Sequence, residues 1–246
     1  MPFPEQNIEP SSAQTTQWSL VLGLKEGSED DRAHALEELC QRYWFPVYTF
    51  IRRQGHEHPD AQDHTQSFFA SMLSREAFQL ADQKRGKFRT FLFTCLQRHL
   101  QQDWRHSQAQ RRKPNQELLS LDFEEGKSLY QLEADDSNLT PDQAWDRKWA
   151  QSVVQRVLNQ LQEEFQAADK LPLFNAIKPF LTTDKGEVSY QEVADQLNMG
   201  LNSVRTAIFR LRQKYARTFR NEIAQTVGEE KDIDEEIRDL LTSLAP

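Results

Sequence analysis

SYQEVADQLNMGLNSVRTAIFRLRQKY, residues 189–215, is the stretch whose pattern decides the fold. Ser189 followed three residues later by Glu192 reads as a capping box, so a helix starts here. Val193, Ala194 and Leu197 fall on its inward side, and Ala194 is small where a second helix must cross closely. Asn198 stands where the chain turns sharply, in a left-handed conformation that Asn tolerates better than most residues. Asn202 then caps a second helix with Val204, Ile208, Leu211 and Tyr215 as its core stripe. Ser203, Arg205, Thr206, Phe209, Arg210, Arg212 and Lys214 are left on its other faces. Two helices joined this way make a helix-turn-helix, whose second helix enters a major groove with early residues at base edges and basic residues at phosphates. Arg205 is placed for a bidentate contact to guanine, and Phe209 either meets a thymine methyl or packs into the core.

Outward from this stretch the chain of 246 residues reads as all-α, because only 8 Gly and 10 Pro interrupt residues set at helical spacing. The pattern divides it into a disordered lead (1–17), a first helical domain (18–113), an acidic linker (114–140), a second domain (141–227) and an acidic amphipathic tail (228–246). In the first domain an apolar stretch from Trp18 to Leu24 precedes a helix over 30–53. Its inward side carries Ala33, Leu36, Leu39, Cys40, Tyr43, Trp44 and Val47, and Pro46 kinks or splits it. Asp60 caps the next helix, which runs to about Ser74, with Ala61, Phe68, Phe69, Met72 and Leu73 buried. A third helix covers 88–112, with Phe88, Phe91, Leu92, Cys95, Leu96, His99, Leu100 and Asp103 in register. Thr140 caps the second domain's first helix ahead of Pro141, with Trp145, Trp149, Val153, Val157, Leu161 and Phe165 in phase, and residues 171–181 form the next.

A net charge of -8 argues against a nucleic-acid partner until placement is considered. From Lys84 to Lys113 nine bases meet one acid, Asp103, and from Leu201 to Arg220 six bases meet none. Two basic islands in an acidic chain suggest two anion-binding surfaces; solvated helix faces are the bland alternative. Cys40 and Cys95 sit alone in apolar patterns, as buried thiols do. The polar Met1–Gln17 segment and the lack of a run near the ~20 apolar residues of a membrane span point to a cytoplasmic protein without a membrane partner. His56, Glu57, His58, Asp60, Asp63 and His64 straddle a turn without a recognised ligand spacing, so no metal is expected. With no nucleophile motif, phosphate loop or paired catalytic carboxylates, the chain reads as a non-enzyme without cofactor or small-molecule substrate.

Residues 189–215 resemble region four, the second promoter-reading module of extracytoplasmic-function sigma factors of bacterial RNA polymerase, in particular the variety met in planctomycetes and related bacteria. Ser189, Tyr190, Glu192, Ala194, Leu197, Asn202, Ser203, Val204, Arg205, Thr206, Ile208, Arg210 and Arg212 match that family's pattern. DAQDHTQSFF, residues 60–69, resembles the family's D-A-E-D-x-x-Q-E-x-F helix of region two, and KFRTFLFT, residues 87–94, resembles the F-R-x-W-L-x-x opening of the helix after it. The two modules span about three quarters of the chain in the family's order.

The resemblance implies two small helical domains on a flexible linker, with core RNA polymerase and promoter DNA as partners and an anti-sigma factor as a further one. Asp60, Asp63, Gln66 and Phe69 would dock on the clamp coiled coil of the polymerase's largest subunit. Arg85, Lys87, Phe88, Arg89, Arg98, Trp104 and Arg105 would recognise and melt the minus-ten element, since melting needs aromatic stacking surfaces and cations for single-strand phosphates. Phe91 stands beside them as a further aromatic; core packing is the alternative for Phe91 and Trp104, and for Phe91 the favoured one. Asn202, Ser203, Arg205, Thr206, Phe209, Arg210, Arg212 and Lys214 would read the minus-thirty-five element.

The chain departs from the family at Gln62, His64, Ser67, Gln102 and Ala207, and in the longer lead 142–181 of its second domain. A helix-turn-helix regulator that is not a polymerase subunit would share residues 189–215, but it would not need the first-domain pair of helices. The tail puts Ile233, Ile237, Leu240, Leu241 and Leu244 on one face, and its acids either compete with DNA near the recognition helix or simply face water.

Overall fold

The computed structural model describes residues 17–72, 86–107, 121, 123, 127, 130, 139–181 and 189–245. Among them the chain is all-α, with no strand. It divides into two compact units, residues 1–137 with 225–228, and residues 138–224 with 229–246.

The first unit holds α1 (Gln17–Glu26), α2 (Glu29–Arg53), α3 (His58–Ser71) and α4 (Phe88–Ser107). Ser28 caps α2, which begins at Glu29, one residue ahead of the expected boundary, through a capping box. Its hydroxyl accepts from the Asp31 N–H at 3.2 Å, and its own N–H donates to the Asp31 carboxylate at 3.1 Å. The Ser28 hydroxyl also donates to that carboxylate at 2.6 Å, and this bond, with the one from the Ser28 N–H, holds the Asp31 carboxyl below its ordinary range. The helix continues through Pro46, which is buried, so neither a split nor a second element results. Leu39, Cys40, Tyr43, Val47 and Ile51 form the buried side, while Ala33 is exposed.

Asp60 does not cap α3. That helix starts two residues earlier, with Pro59 in its first turn, where a preset φ and a missing N–H cost nothing. Asp60 stands inside the first turn, beside the positive end of the helix dipole. Phe123 and Tyr130 come from the stretch read as linker, yet both pack on α2. The Phe123 ring lies 5.4 Å from Trp44 and 5.8 Å from Tyr48, and the Arg52 guanidinium sits 5.0 Å over the Tyr130 ring. Their apolar area is the reason: two aromatic side chains among acids still gain by leaving water. Residues 225–228 close this unit, with the Gln225 and Thr226 carbonyls accepting from the N–H groups of Gln17 (3.3 Å) and Phe88 (2.8 Å).

The second unit holds α5 (Pro141–Ala167), α6 (Leu171–Ile177) with a 3-10 turn (Lys178–Leu181), α7 (Tyr190–Gln196), α8 (Leu201–Ala224) and α9 (Ile233–Leu244). Thr140 caps α5 by the reciprocal exchange with Gln143. Trp145, Trp149, Val153, Val157 and Leu161 bury one side of α5 against α8 and α9. Arg156 pairs with Glu222 at 2.7 Å, and Lys214 pairs with Glu164, so α5 and α8 run antiparallel. The tail helix α9 packs on both, burying Ile233 and Leu240. Leu241 does not share their face: it is 55% exposed.

Candidate nucleic-acid interface

The turn between α7 and α8 is fixed by backbone bonds. Asn198 has φ 50°, the left-handed conformation its short amide tolerates. Around it the Met199 N–H donates to the Ala194 carbonyl at 2.9 Å and the Asn198 N–H to the Asp195 carbonyl at 3.3 Å, the paired bonds of a Schellman ending. Ser189 caps α7, but its hydroxyl accepts from Gln191 at 3.2 Å, one position before a capping box requires. Asn202 is not a cap. The helix begins at Leu201, and the Gly200 carbonyl accepts from Ser203 (2.9 Å) and Val204 (3.2 Å).

Along α8, Val204, Ile208 and Leu211 are buried and Tyr215 is half-buried. Asn202, Ser203, Arg205, Thr206, Phe209 and Arg210 are exposed. Asn202, Arg205, Thr206 and Phe209 form a single stripe, since four helical residues return within about 40°. Phe209 is 60% exposed, the most of any large apolar side chain among the described residues, so it is not core. A guanidinium and an aromatic edge one turn apart suit the edges of adjacent base pairs.

Two residues assigned to phosphates, the exposed Arg212 and the half-buried Lys214, also bond to partners within the unit. The Arg212 guanidinium donates to the Phe180 carbonyl through Nε at 3.2 Å and Nη2 at 2.9 Å. Lys214 is half-buried and held by Glu164. Thirty-two and fifty residues of chain separate these partners, so no local pattern announces them. Beside them Phe180 stacks on Tyr190 at 4.9 Å, which fixes the entry of α7.

One tail acid is engaged away from the exposed stripe. Asp234 pairs with Arg220, ten residues beyond Arg210 and so about 15 Å further along α8.

In the first unit Asp60 and Asp63 are exposed on α3, but Gln66 and Phe69 are buried at 3% and 0% exposure. Geometry explains the correction: each three-residue step swings about 60° back around the helix, so the row has turned about 120° by Gln66 and faces the opposite side at Phe69. Ala61, Thr65, Phe68 and Phe69 are that inner side.

The start of α4 is corrected likewise. Phe88 is fully buried, its ring 5.7 Å from Trp18 and 5.4 Å from Tyr43, and Arg89 is 7% exposed. Neither presents a surface to a single strand. Phe91 is half-buried against Trp18 at 5.5 Å. Lys87 is half-buried and Arg98 is exposed. Arg85 and the side chains of Trp104 and Arg105 lie outside the described residues.

His56 and His64 meet at 4.6 Å between ring centroids, and His58 shares a 2.8 Å hydrogen bond with the Tyr48 hydroxyl. Among the described residues no group of three or more His, Cys, Asp or Glu is placed to hold a metal. Burial pushes the Cys95 thiol up to about 11 and the Cys40 thiol higher still, so both stay protonated and inert at neutral pH. Among the described residues no helix is long and apolar enough to cross a membrane. No family model matches the chain, and neither a curated protein nor a solved structure does.

Proposed function

We propose that this chain is a sigma factor of the extracytoplasmic-function kind, a subunit that binds core RNA polymerase and directs initiation at specific promoters. The observation that carries the DNA-binding half is the outward stripe Asn202, Arg205, Thr206 and Phe209 at the start of α8. The 60%-exposed Phe209 offers an apolar edge that a thymine methyl in the major groove can meet. Arg210 lies beside the stripe as a phosphate contact.

The polymerase-binding half is supported by the resemblance of residues 60–69 together with the exposure of Asp60 and Asp63 at the start of α3. Those two carboxylates suit a basic helix on the partner. Gln66 and Phe69 serve by shaping the helix from within. Melting would fall to Lys87 and Arg98 with Arg85, Trp104 and Arg105, and it needs no catalysis, cofactor or metal.

The alternative is a regulator that uses α7 and α8 without joining polymerase. Binding to purified core polymerase, followed by fluorescence anisotropy of the labelled chain, separates the two. A sigma factor binds core, and Asp60→Ala/Asp63→Ala weakens that binding with the fold unchanged by circular dichroism. No binding to core alongside tight duplex DNA binding points to the regulator.

A further inference from the structure

Between the end of α5, α6 and the middle of α8 lies a cleft of about 260 Å³, the room of eight or nine waters at about 30 Å³ each. Its floor is apolar, formed by Phe165, Leu173, Ile177 and Leu211. Phe174 backs Phe165 at 5.2 Å between ring centroids, so this floor is braced by the core.

The rim carries three cations, Lys170, Arg210 and Lys214, against one acid, Glu164. Lys214 pairs with Glu164 and lies 5.8 Å from the Phe165 ring centroid. Burial pushes the Glu164 carboxyl up, but the hydrogen bonds from Lys214 and Gln160 outweigh it and keep the acid ionised. The acid is therefore already satisfied within the rim. Lys170 and Arg210 are exposed at the mouth, and among the described residues neither is ion-paired.

We propose that this cleft binds a small amphipathic anion, a monocarboxylate whose alkyl or aryl tail lies on Phe165, Leu173 and Ile177 while its head meets Lys170 and Arg210. A bare inorganic anion would leave the floor wet, and a neutral lipid would leave both cations unmet. The volume suits a ligand of about ten non-hydrogen atoms.

The test is a titration of the full chain followed by methyl and amide chemical shifts, with octanoate, 1-octanol and acetate as probes. Octanoate should give saturable shifts at Leu173, Ile177 and Ala207. Octanol should bind roughly fivefold more weakly, since two exposed charge contacts each contribute well under about 1 kcal/mol, and acetate should not saturate. Ala168→Trp, at an exposed rim position, should abolish the octanoate shifts. Lys170→Gln/Arg210→Gln should erase the preference for octanoate over octanol while leaving octanol binding in place, and this decides the matter even if the tryptophan variant fails to fold. Equal affinity for octanoate and octanol in the native chain, or no saturable shift with octanoate, overturns the proposal.

Discussion

At the start of α4, Phe88 and Arg89 turn inward at 0% and 7% exposure, whereas at the start of α8, Arg205, Phe209 and Arg210 turn outward, Phe209 at 60%. Both groups come from basic islands carrying aromatics, and composition cannot tell them apart. Helical phase does. Phe88 shares the stripe of Leu92 and Leu96, which are fully buried, while Phe209 stands about 140° around the helix from Val204. An aromatic residue beside arginines is thus an exposed face or a core anchor according to register alone.

The contrast breaks most readily on stability. Phe88→Ala should cost about 3–5 kcal/mol by leaving a cavity, whereas Phe209→Ala should stay within about 0.5 kcal/mol. Urea denaturation of the two variants measures this, and equal losses would erase the distinction.

The tail gives the next largest effect. Leu240 is fully buried and should lose about 2–5 kcal/mol on truncation to alanine, while Leu241→Ala should change stability little. Deleting 229–246 should destabilise the second unit without strengthening DNA binding, because the tail packs through Ile233 and Leu240 and its Asp234 pairs with Arg220, beyond the exposed stripe. Tighter promoter binding after deletion would restore the competing role for the tail acids.

Within α8 itself, Arg205 and Arg212 sharpen the comparison. Both lie on the same side of the helix, seven residues and so within about 20° of each other, yet only Arg212 is tied to the Phe180 carbonyl. Arg205→Ala should lose about 1–3 kcal/mol of discrimination at one base pair with stability unchanged. Arg212→Ala should instead lose about 1 kcal/mol of stability, below the ~1.5–3 kcal/mol of a hydrogen bond to a charged group because the guanidinium is exposed. Thermal melts and binding to a panel of single-base variants separate the two roles.

The smallest effect is on salt. Arg210→Ala should lower the slope of log affinity against log salt by about 0.9, one phosphate contact, and Arg220→Ala should leave it unchanged because Asp234 already holds that guanidinium.

What could be read ahead of the structure was local. The helix limits near Thr140 and Ser189, the left-handed Asn198 and the inward stripe of α8 follow from residues within a turn or two of one another. What could not be read was set across the chain. The Arg212–Phe180 and Lys214–Glu164 contacts join distant residues, and Phe123 and Tyr130 dock on α2 from an acidic stretch without periodicity. Gln66 failed for another reason, while the burial of Phe69 was legible and only its docking role was misplaced. Three-residue spacing looks like one face over a single step but drifts into the core over two or three, so matching a motif named the helix without naming its solvent side.

Run-off transcription with core polymerase and genomic promoter fragments, comparing the native chain with Arg205→Ala, tests the central claim most directly. Specific transcripts are expected with the native chain and should be lost with Arg205→Ala, while core binding is kept. No transcript with the native chain, or transcripts indifferent to Arg205, would contradict it.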